Sequence, residues 1–524
     1  MLVNFNNLAQ WCRGPTSFSK AILLCLHAAF LFLSVVGTSA GTTEPQKYSL
    51  HMIDLNAEHR RLVPISGYVQ FGGNLVGDTN RGEFGESVTI DETGTTIVVH
   101  ERQTGIVRVY ENAANGWTPK GQVLTGFPVS FIFNSGRSVA ISRDGSIVAV
   151  GSTNNRVVFV FQYNTSADMW VQRGSTIQGV ERDGTSPIAS FGFSISMSAD
   201  GNKIAVGAPE YDSPTLLDIG FATNYFWNGT DWERYDYFGD ISGFYGEIQN
   251  AQLGASVAFS GDGSWFAIGM PGSGSSESLA TRFGECRVYN IESLVVQTNI
   301  VDGGAMFGSA INDRFGNSVA LSYDGSIIAV GSPGFDGDFS NTIGRVQVFE
   351  RIGETWRQLG SDLIGDNEID GFGSTIDLSD DGKTLVAGSV TVFLGSTPTP
   401  SRGYTRIYKF DGTDWVLQEI SRAQGFDIDG IREGDELGWS VAVSGDGTKV
   451  LVGAPFYDGP DTNNGLVQMW GQTDFPTFSP ILNPLPQVGN LGTGGSPAQA
   501  SLVSRAFTWW QGAVAYLEGF FVFN

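Results

Sequence analysis

FGNSVALSYDGSIIAVGSPGFDGDFSNTIGRVQVF, from Phe315 to Phe349, decides the fold. A Phe-Gly pair opens it, and Val319 and Leu321 then alternate with the small or polar Ser318, Ala320 and Ser322. Alternation with a period of two marks a strand that buries one face. Asp324-Gly325 follows, and Asp-Gly between two apolar runs signals a β-hairpin. Ile327 to Val330 is apolar at every position, as expected of a strand covered on both faces. A Gly/Asp-rich loop leads to a third alternating run, Val346 to Phe349, and after a short turn Trp356 to Leu359 reads as a fourth. Four short antiparallel strands in about sixty residues describe one blade of a β-propeller.

The unit recurs. Its opening glycine stands at Gly85, Gly136, Gly192, Gly254, Gly316, Gly373 and Gly438, 51 to 65 residues apart. The turn glycine keeps step at Gly94, Gly145, Gly201, Gly263, Gly325, Gly382 and Gly447, with an Asp before it in every copy except the first, which has Thr93. Seven phased copies of an all-β unit predict a propeller rather than a helical solenoid. A ring must also close, because an open terminal blade exposes a sheet edge. The seventh copy stops after its third strand, Leu466 to Trp470, but Gly67 to Gly77 (GYVQFGGNLVG) matches the fourth-strand segment Thr355 to Gly365 (TWRQLGSDLIG). The predicted fold is therefore all-β: a seven-bladed β-propeller of four-stranded antiparallel blades, closed by an N-terminal strand in the last blade.

The pattern, best kept in Phe191–Pro209 (FGFSISMSADGNKIAVGAP) and Leu437–Pro455 (LGWSVAVSGDGTKVLVGAP), resembles the FG-GAP repeat of integrin α-subunit propellers and their extracellular relatives. The resemblance spans roughly residues 65–471 and implies the fold; it says little about activity, since one fold hosts unrelated functions. It also implies a calcium loop of the form D-x-[DN]-x-D-G-x-x-D in the first hairpin of a blade. Here the sequence departs from the family. Aligned on Asp324, Ala320 and Ile328 fall at the first and last ligand positions; Asp144, Asp200 and Asp446 give Ala140/Val148, Ser196/Ile204 and Ala442/Val450. Asp381 alone has a carboxylate at the first position, Asp377, and its last is Leu385. Calcium takes six to eight oxygens, so these hairpins read as tight turns.

Five segments follow. Residues 1–40 carry Arg13 and Lys20 ahead of an apolar stretch, Ala21 to Val36, and small residues, as in a signal peptide or an uncleaved signal anchor. Residues 41–64 are a lead, 65–471 the propeller, and 472–505 a linker rich in Pro, Gly and Ser. The tail, 506–524, is apolar but short for a membrane span and holds Glu518; small residues near Ser496 to Ser501 are similar to a GPI-attachment signal. The expected location is secreted or cell-surface, with membrane contact only through the N-terminal anchor or the C-terminal tail.

Composition narrows the chemistry. Of three cysteines, Cys12 and Cys25 lie in the leader, so Cys286 is expected as a buried small residue with no intrachain disulfide. Of four histidines only His100 falls within the blades, which argues against a histidine-based triad or a multi-histidine zinc site. A net charge of −24 argues against nucleic acid. Trp117, Trp170, Trp232, Trp356 and Trp415 recur near the fourth strand, with Tyr68 in the closing strand; they read as packing repeated in each blade before they read as a sugar platform.

The acidic residues gather by topology. Second-to-third-strand loops and inter-blade connections share one face of the disc, and they hold Asp212, Asp218, Asp336, Asp338, Asp458 and Asp461, then Asp183, Asp366, Glu368, Asp370, Asp427, Asp429, Glu433, Asp435 and Glu436. Asp427, Asp429 and Asp435 are the candidate ligands should a divalent ion such as calcium bind, although no cofactor is required. Sequons at Asn164-Thr165-Ser166 and Asn228-Gly229-Thr230 fall between the third and fourth strands and place N-glycans on the opposite face. No catalytic residue is assigned. The favoured reading is a binding or adhesion module for an extracellular protein or glycan; the alternatives are a carboxylate-based polysaccharide hydrolase or lyase and a structural component of a matrix or wall.

Overall fold

A computed structural model describes residues 65–475, apart from 114–115, 128–137, 180–186, 236–242, 275–281, 292–305, 336–341, 367–370, 391–400 and 421–425. The leader, the lead before Ile65, the rest of the linker and the apolar tail lie outside the described residues, as do Asp183, Asp336, Asp338, Glu368 and Asp370. Seven antiparallel sheets form seven blades in a ring. Blade five shows the plan: Ser318–Leu321, Ile327–Ser332, Arg345–Ile352 and Thr355–Gln358 pair in sequence order, and the short strand Leu363–Ile364 returns to pair with Val346 and Arg345. First strands neighbour first strands around the ring, so they line the axis and the fourth strands form the rim.

Each predicted signal has a physical role. In the hairpin of blade five, Asp324 Oδ1 accepts from Ser322 Oγ (2.9 Å) and from Ser326 N (2.9 Å), while Gly325 takes φ 64° and donates to Ser322 O. The carboxylate is thus an Asx-turn acceptor. The first copy swaps the two roles: Asp91 occupies the serine position and accepts from Thr95 N (2.7 Å) and Thr95 Oγ1 (2.8 Å). Ile328, Ala329 and Val330 are fully buried, as their unbroken apolar run requires.

The blades hold together through glycine. A Cβ on Gly331 would lie 2.1 Å from the carbonyl oxygen of Gly373, the opening glycine of the next blade, and Ser318 Oγ donates to that same oxygen at 2.7 Å. The joint repeats: Ser194 donates to Gly254 O, Ser256 to Gly316 O, Thr375 to Gly438 O and, across the seam, Ser440 to Gly85 O. Seven apolar clusters fill the spaces between successive blades; the one between blades four and five joins Ala267 and Val288 to Phe315, Val319 and Trp356. At the rim, Trp170 Nε1 donates to Lys120 O, Trp232 Nε1 to Arg173 O and Trp415 Nε1 to Leu359 O, each in the preceding blade. The recurrent tryptophans are inter-blade packing.

Closure follows the expected route. Ile65–Gln70 pairs with the third strand of blade seven from Ile65↔Phe475 to Gln70↔Trp470. That strand runs from Leu466 to Phe475, past the boundary read at 471, because the closing strand gives those extra residues a partner. Tyr68 is fully buried and donates through its hydroxyl to Gly447 O at 2.7 Å.

Candidate functional site

Three places gather chemistry: the two faces of the disc and one buried cluster between blades one and two. On the inter-blade face, the acidic loops are less open than their composition suggests. Arg406, on the third strand of blade six, bonds Asp427 Oδ1 through Nε at 2.7 Å and holds Asp366 through Nη2. Burial works against the Arg406 charge, but the hydrogen bonds it donates to these two carboxylates more than restore it. The arrangement recurs: Arg108 holds Glu101 and Asp78, Arg287 holds Glu285 and Glu247, and Arg345 reaches Asp362 (3.1 Å) and Asp313 (3.3 Å). A face expected to be strongly negative is partly neutralised by arginines rising from the third strands.

The candidate metal ligands divide accordingly. Asp427 is committed to Arg406. Asp435 is buried and accepts from Arg432 N at 2.7 Å, capping its own turn. Asp429 is exposed; partial burial first, and Asp427 second, raise its pKa. Among the described residues no group of three or more His, Cys, Asp or Glu could hold a metal ion. The hairpins do not fit calcium either, because each Asp serves its own turn and an apolar residue fills the last ligand position. Calorimetric titration with calcium should therefore give the same result for the chain and for its Asp200→Asn, Asp324→Asn and Asp446→Asn forms.

The same turns predict an acid response. Burial pushes Asp144, Asp200, Asp324 and Asp446 up, but serine or threonine hydroxyls and backbone amides more than offset it, and all four end below the usual carboxylate value. A depressed folded pKa contributes stability that is present above the unfolded value of about 3.9 and lost as pH falls through the folded one. Melting temperature should fall between about pH 4 and pH 2, and less steeply in a variant that combines Asp200→Asn, Asp324→Asn and Asp446→Asn.

The hairpin face holds a device that the sequence does not announce. Each inner hairpin donates to the next through the backbone, from the second residue of its turn or, at Asp262 and Asp446, from the Asp that follows it: Glu92 N to Arg143 O, Arg143 N to Ala199 O, Ala199 N to Gly261 O, Asp262 N to Tyr323 O, Tyr323 N to Asp380 O, Asp380 N to Gly445 O and Asp446 N to Glu92 O. This circlet closes around the axis. Arg143 then reaches across it, pairing with Glu92, approaching Asp380 Oδ2 at 3.1 Å and lying 4.7 Å from the Tyr323 ring centre. Glycines make room: a Cβ on Gly261 would stand 2.3 Å from Tyr323 Cδ2, and one on Gly445 2.6 Å from Asp380 Oδ2. Blade two is thereby clasped to blades one, five and six across this mouth of the channel. Arg143→Ala should lower stability by about 1 kcal/mol, since the clasp is partly solvated, as read from denaturant midpoints.

In blade one, His100 Nδ1 stands 3.0 Å from Ser138 Oγ and 3.4 Å from Glu86 Oε2, while Nε2 stands 3.2 Å from Phe127 O. All three side chains are buried. Serine and carboxylate approach the same ring nitrogen, so this is not the relay of a nucleophilic triad, in which they take opposite nitrogens. Cys286 is buried and free, with its thiol pushed up by burial.

Both sequon asparagines sit at the predicted turn. Asn164 ends the third strand of blade two, and its Oδ1 accepts from Ser166 N (3.0 Å) and Ala167 N (3.1 Å). Asn228 Oδ1 accepts from Thr230 N, Thr230 Oγ1 and Asp231 N. Both are exposed.

Residues 429–469 match the FG-GAP repeat family model. A search of curated proteins finds no match. Among solved structures, Kuenenia stuttgartiensis hydrazine synthase aligns at 13% identity, covering 77% of this chain and 99% of that one, with a TM-score of 0.46. The β-propeller domain of Myceliophteria thermophila Cps50 (Swd1) aligns at 10% identity, covering 76% and 100%, with a TM-score of 0.47. Similarity at that level lends neither protein's role to this chain. The matched repeat and the seven closed blades together fit an FG-GAP, integrin α-like β-propeller.

Proposed function

We propose that the propeller is a secreted or cell-surface binding module that takes an extracellular protein or glycan on its inter-blade face. One observation carries the reading: the connections of blades four to seven expose large apolar side chains among carboxylates. Phe426 is 55% exposed and Phe307 45%, and Ile311, Ile364 and Ile431 are exposed as well, beside Asp366 and Asp429. Exposed apolar groups clustered within a polar surround mark interaction surfaces on soluble proteins. Arg406, which holds both Asp366 and Asp427, ties two of these loops together, which lowers the entropy lost on binding. The hairpin mouth is clasped, whereas this face offers both anchors and charge.

An array of extracellular proteins and glycans, probed with the secreted full chain, tests the reading. Phe307→Ser with Phe426→Ser should weaken any specific signal by tenfold or more, about 1.4 kcal/mol or above. Undiminished binding by the double variant would count against the face, and absence of the chain from the medium against secretion.

A further inference from the structure

We infer that Asn164 carries an N-linked glycan whose first sugars lie on the outer face of blade two, covering two exposed apolar side chains. The inference rests on the secretory reading above. Asn164 pairs across the hairpin with Met169, and Gln162 with Val171. Directly opposed residues of an antiparallel pair share a face, and the alternate residues point the other way. Asn164, Gln162, Met169 and Val171 therefore stand together, while Trp170 turns inward and is buried. Met169 is 42% and Val171 46% exposed, on alternate positions of one strand and so on one face.

Beside them lies an open surface hollow of about 390 Å³, with Gln162, Asn164 and Val171 in its walls and Met169 next to Asn164 outside them. It is a shallow depression, against which a sugar ring can lie over Gln162 and Val171 with its other side in solvent. The apolar ring face of N-acetylglucosamine suits Val171 and its hydroxyls suit the Gln162 amide, while Met169, directly opposite Asn164, suits the acetamido methyl. The turn leaves the right atom outside. Both bonds to the Asn164 side chain end on Oδ1, and Nδ2 is the atom that glycosylation modifies. In that step Nδ2 bonds to the anomeric carbon of an oligosaccharide carried on a polyprenyl pyrophosphate. The C–O bond to the pyrophosphate breaks, the pyrophosphate leaves with the electron pair, and one Nδ2 proton passes to the transferase's base. Asn228 is the internal comparison, since its Nδ2 is already turned to Glu233 Oε1 at 2.5 Å.

The experiment uses the full chain expressed in a glycosylating eukaryotic host, once with its own N-terminus and once behind a host signal sequence. Glycopeptide mass spectrometry reads occupancy at Asn164 and Asn228, and a peptide amidase applied to the folded protein reads the rate of glycan release at each. Asn164 should be occupied and should release its glycan about tenfold more slowly than Asn228. Ser166→Ala removes the sequon but keeps the backbone amide that Asn164 binds. It should lower the melting temperature of protein from this host and leave protein from a non-glycosylating host unchanged. An unoccupied Asn164, or release from the two sites at one rate, overturns the inference. Occupancy only behind the host signal overturns the secretory reading while the site stands.

Discussion

Deleting Ser66 to Gly77 should abolish the cooperative melt of the ring and drive the protein into aggregates. The deletion removes nearly the whole outer strand of blade seven and its register from Ser66↔Asp474 to Gln70↔Trp470. It also empties the space of Tyr68, which is fully buried among Ile420, Val443 and Trp470. Two losses combine. Leu466–Phe475 becomes an open edge with unpaired amides and carbonyls, which recruits strands from other chains. The seam between the last and first blades is left as a cut in a ring whose every interface depends on its neighbours. Calorimetry and size-exclusion chromatography read the result; an unchanged single transition in a monomer would contradict it. A milder form separates the two losses. Tyr68→Phe keeps the ring and loses only the bond to Gly447 O, which should cost about 1 kcal/mol.

Gly331→Ala should be nearly as severe, at about 3 kcal/mol or more. Its new methyl would lie 2.1 Å from the Gly373 carbonyl oxygen and 2.3 Å from Ser318 Oγ. The oxygen belongs to the backbone of the next blade, so relief requires the two blades to part. Two other glycines isolate the cause. Gly353 has φ +63° with nothing within 4 Å of an added Cβ, and Gly353→Ala should cost only the strain of a left-handed alanine, about 1–2 kcal/mol. Gly73 has neither restriction, and Gly73→Ala should stay within about 0.5 kcal/mol of the parent. Chemical denaturation of the three variants orders them; equal losses would show that contact between glycines does not join the blades.

These glycines explain why the fold was legible. The chain places a glycine in the second strand at six of the seven meetings between blades, with His100 there in blade one, and an Asp-Gly at six of the seven inner hairpins, so local physics prints the architecture again and again. The closing strand was legible for the same reason, since Gly67 to Gly77 meets the same outer-strand surroundings as Thr355 to Gly365. The clasp was not. Arg143, Tyr323 and Asp380 stand at the hairpin position where the copies differ most, and their contact crosses the axis between residues far apart in sequence. Its one trace is a mixture of large and small residues at that position: Glu92, Arg143, Ala199, Gly261, Tyr323, Asp380 and Gly445. The charge balance of the inter-blade face was hidden likewise. Asp366 and Asp427 read as an open acidic loop because Arg406, their partner, sits in a strand whose alternation gives no sign that its side chain rises to that face.

Footprinting the ring with hydroxyl radicals, in the presence and absence of a ligand taken from the array, tests the functional account most directly. Protection should concentrate on Phe307, Ile311, Ile364, Phe426 and Ile431, while Tyr323 at the clasped mouth and Met169 at the rim react as they do without ligand. Protection centred on Tyr323 with the inter-blade residues unchanged would contradict it.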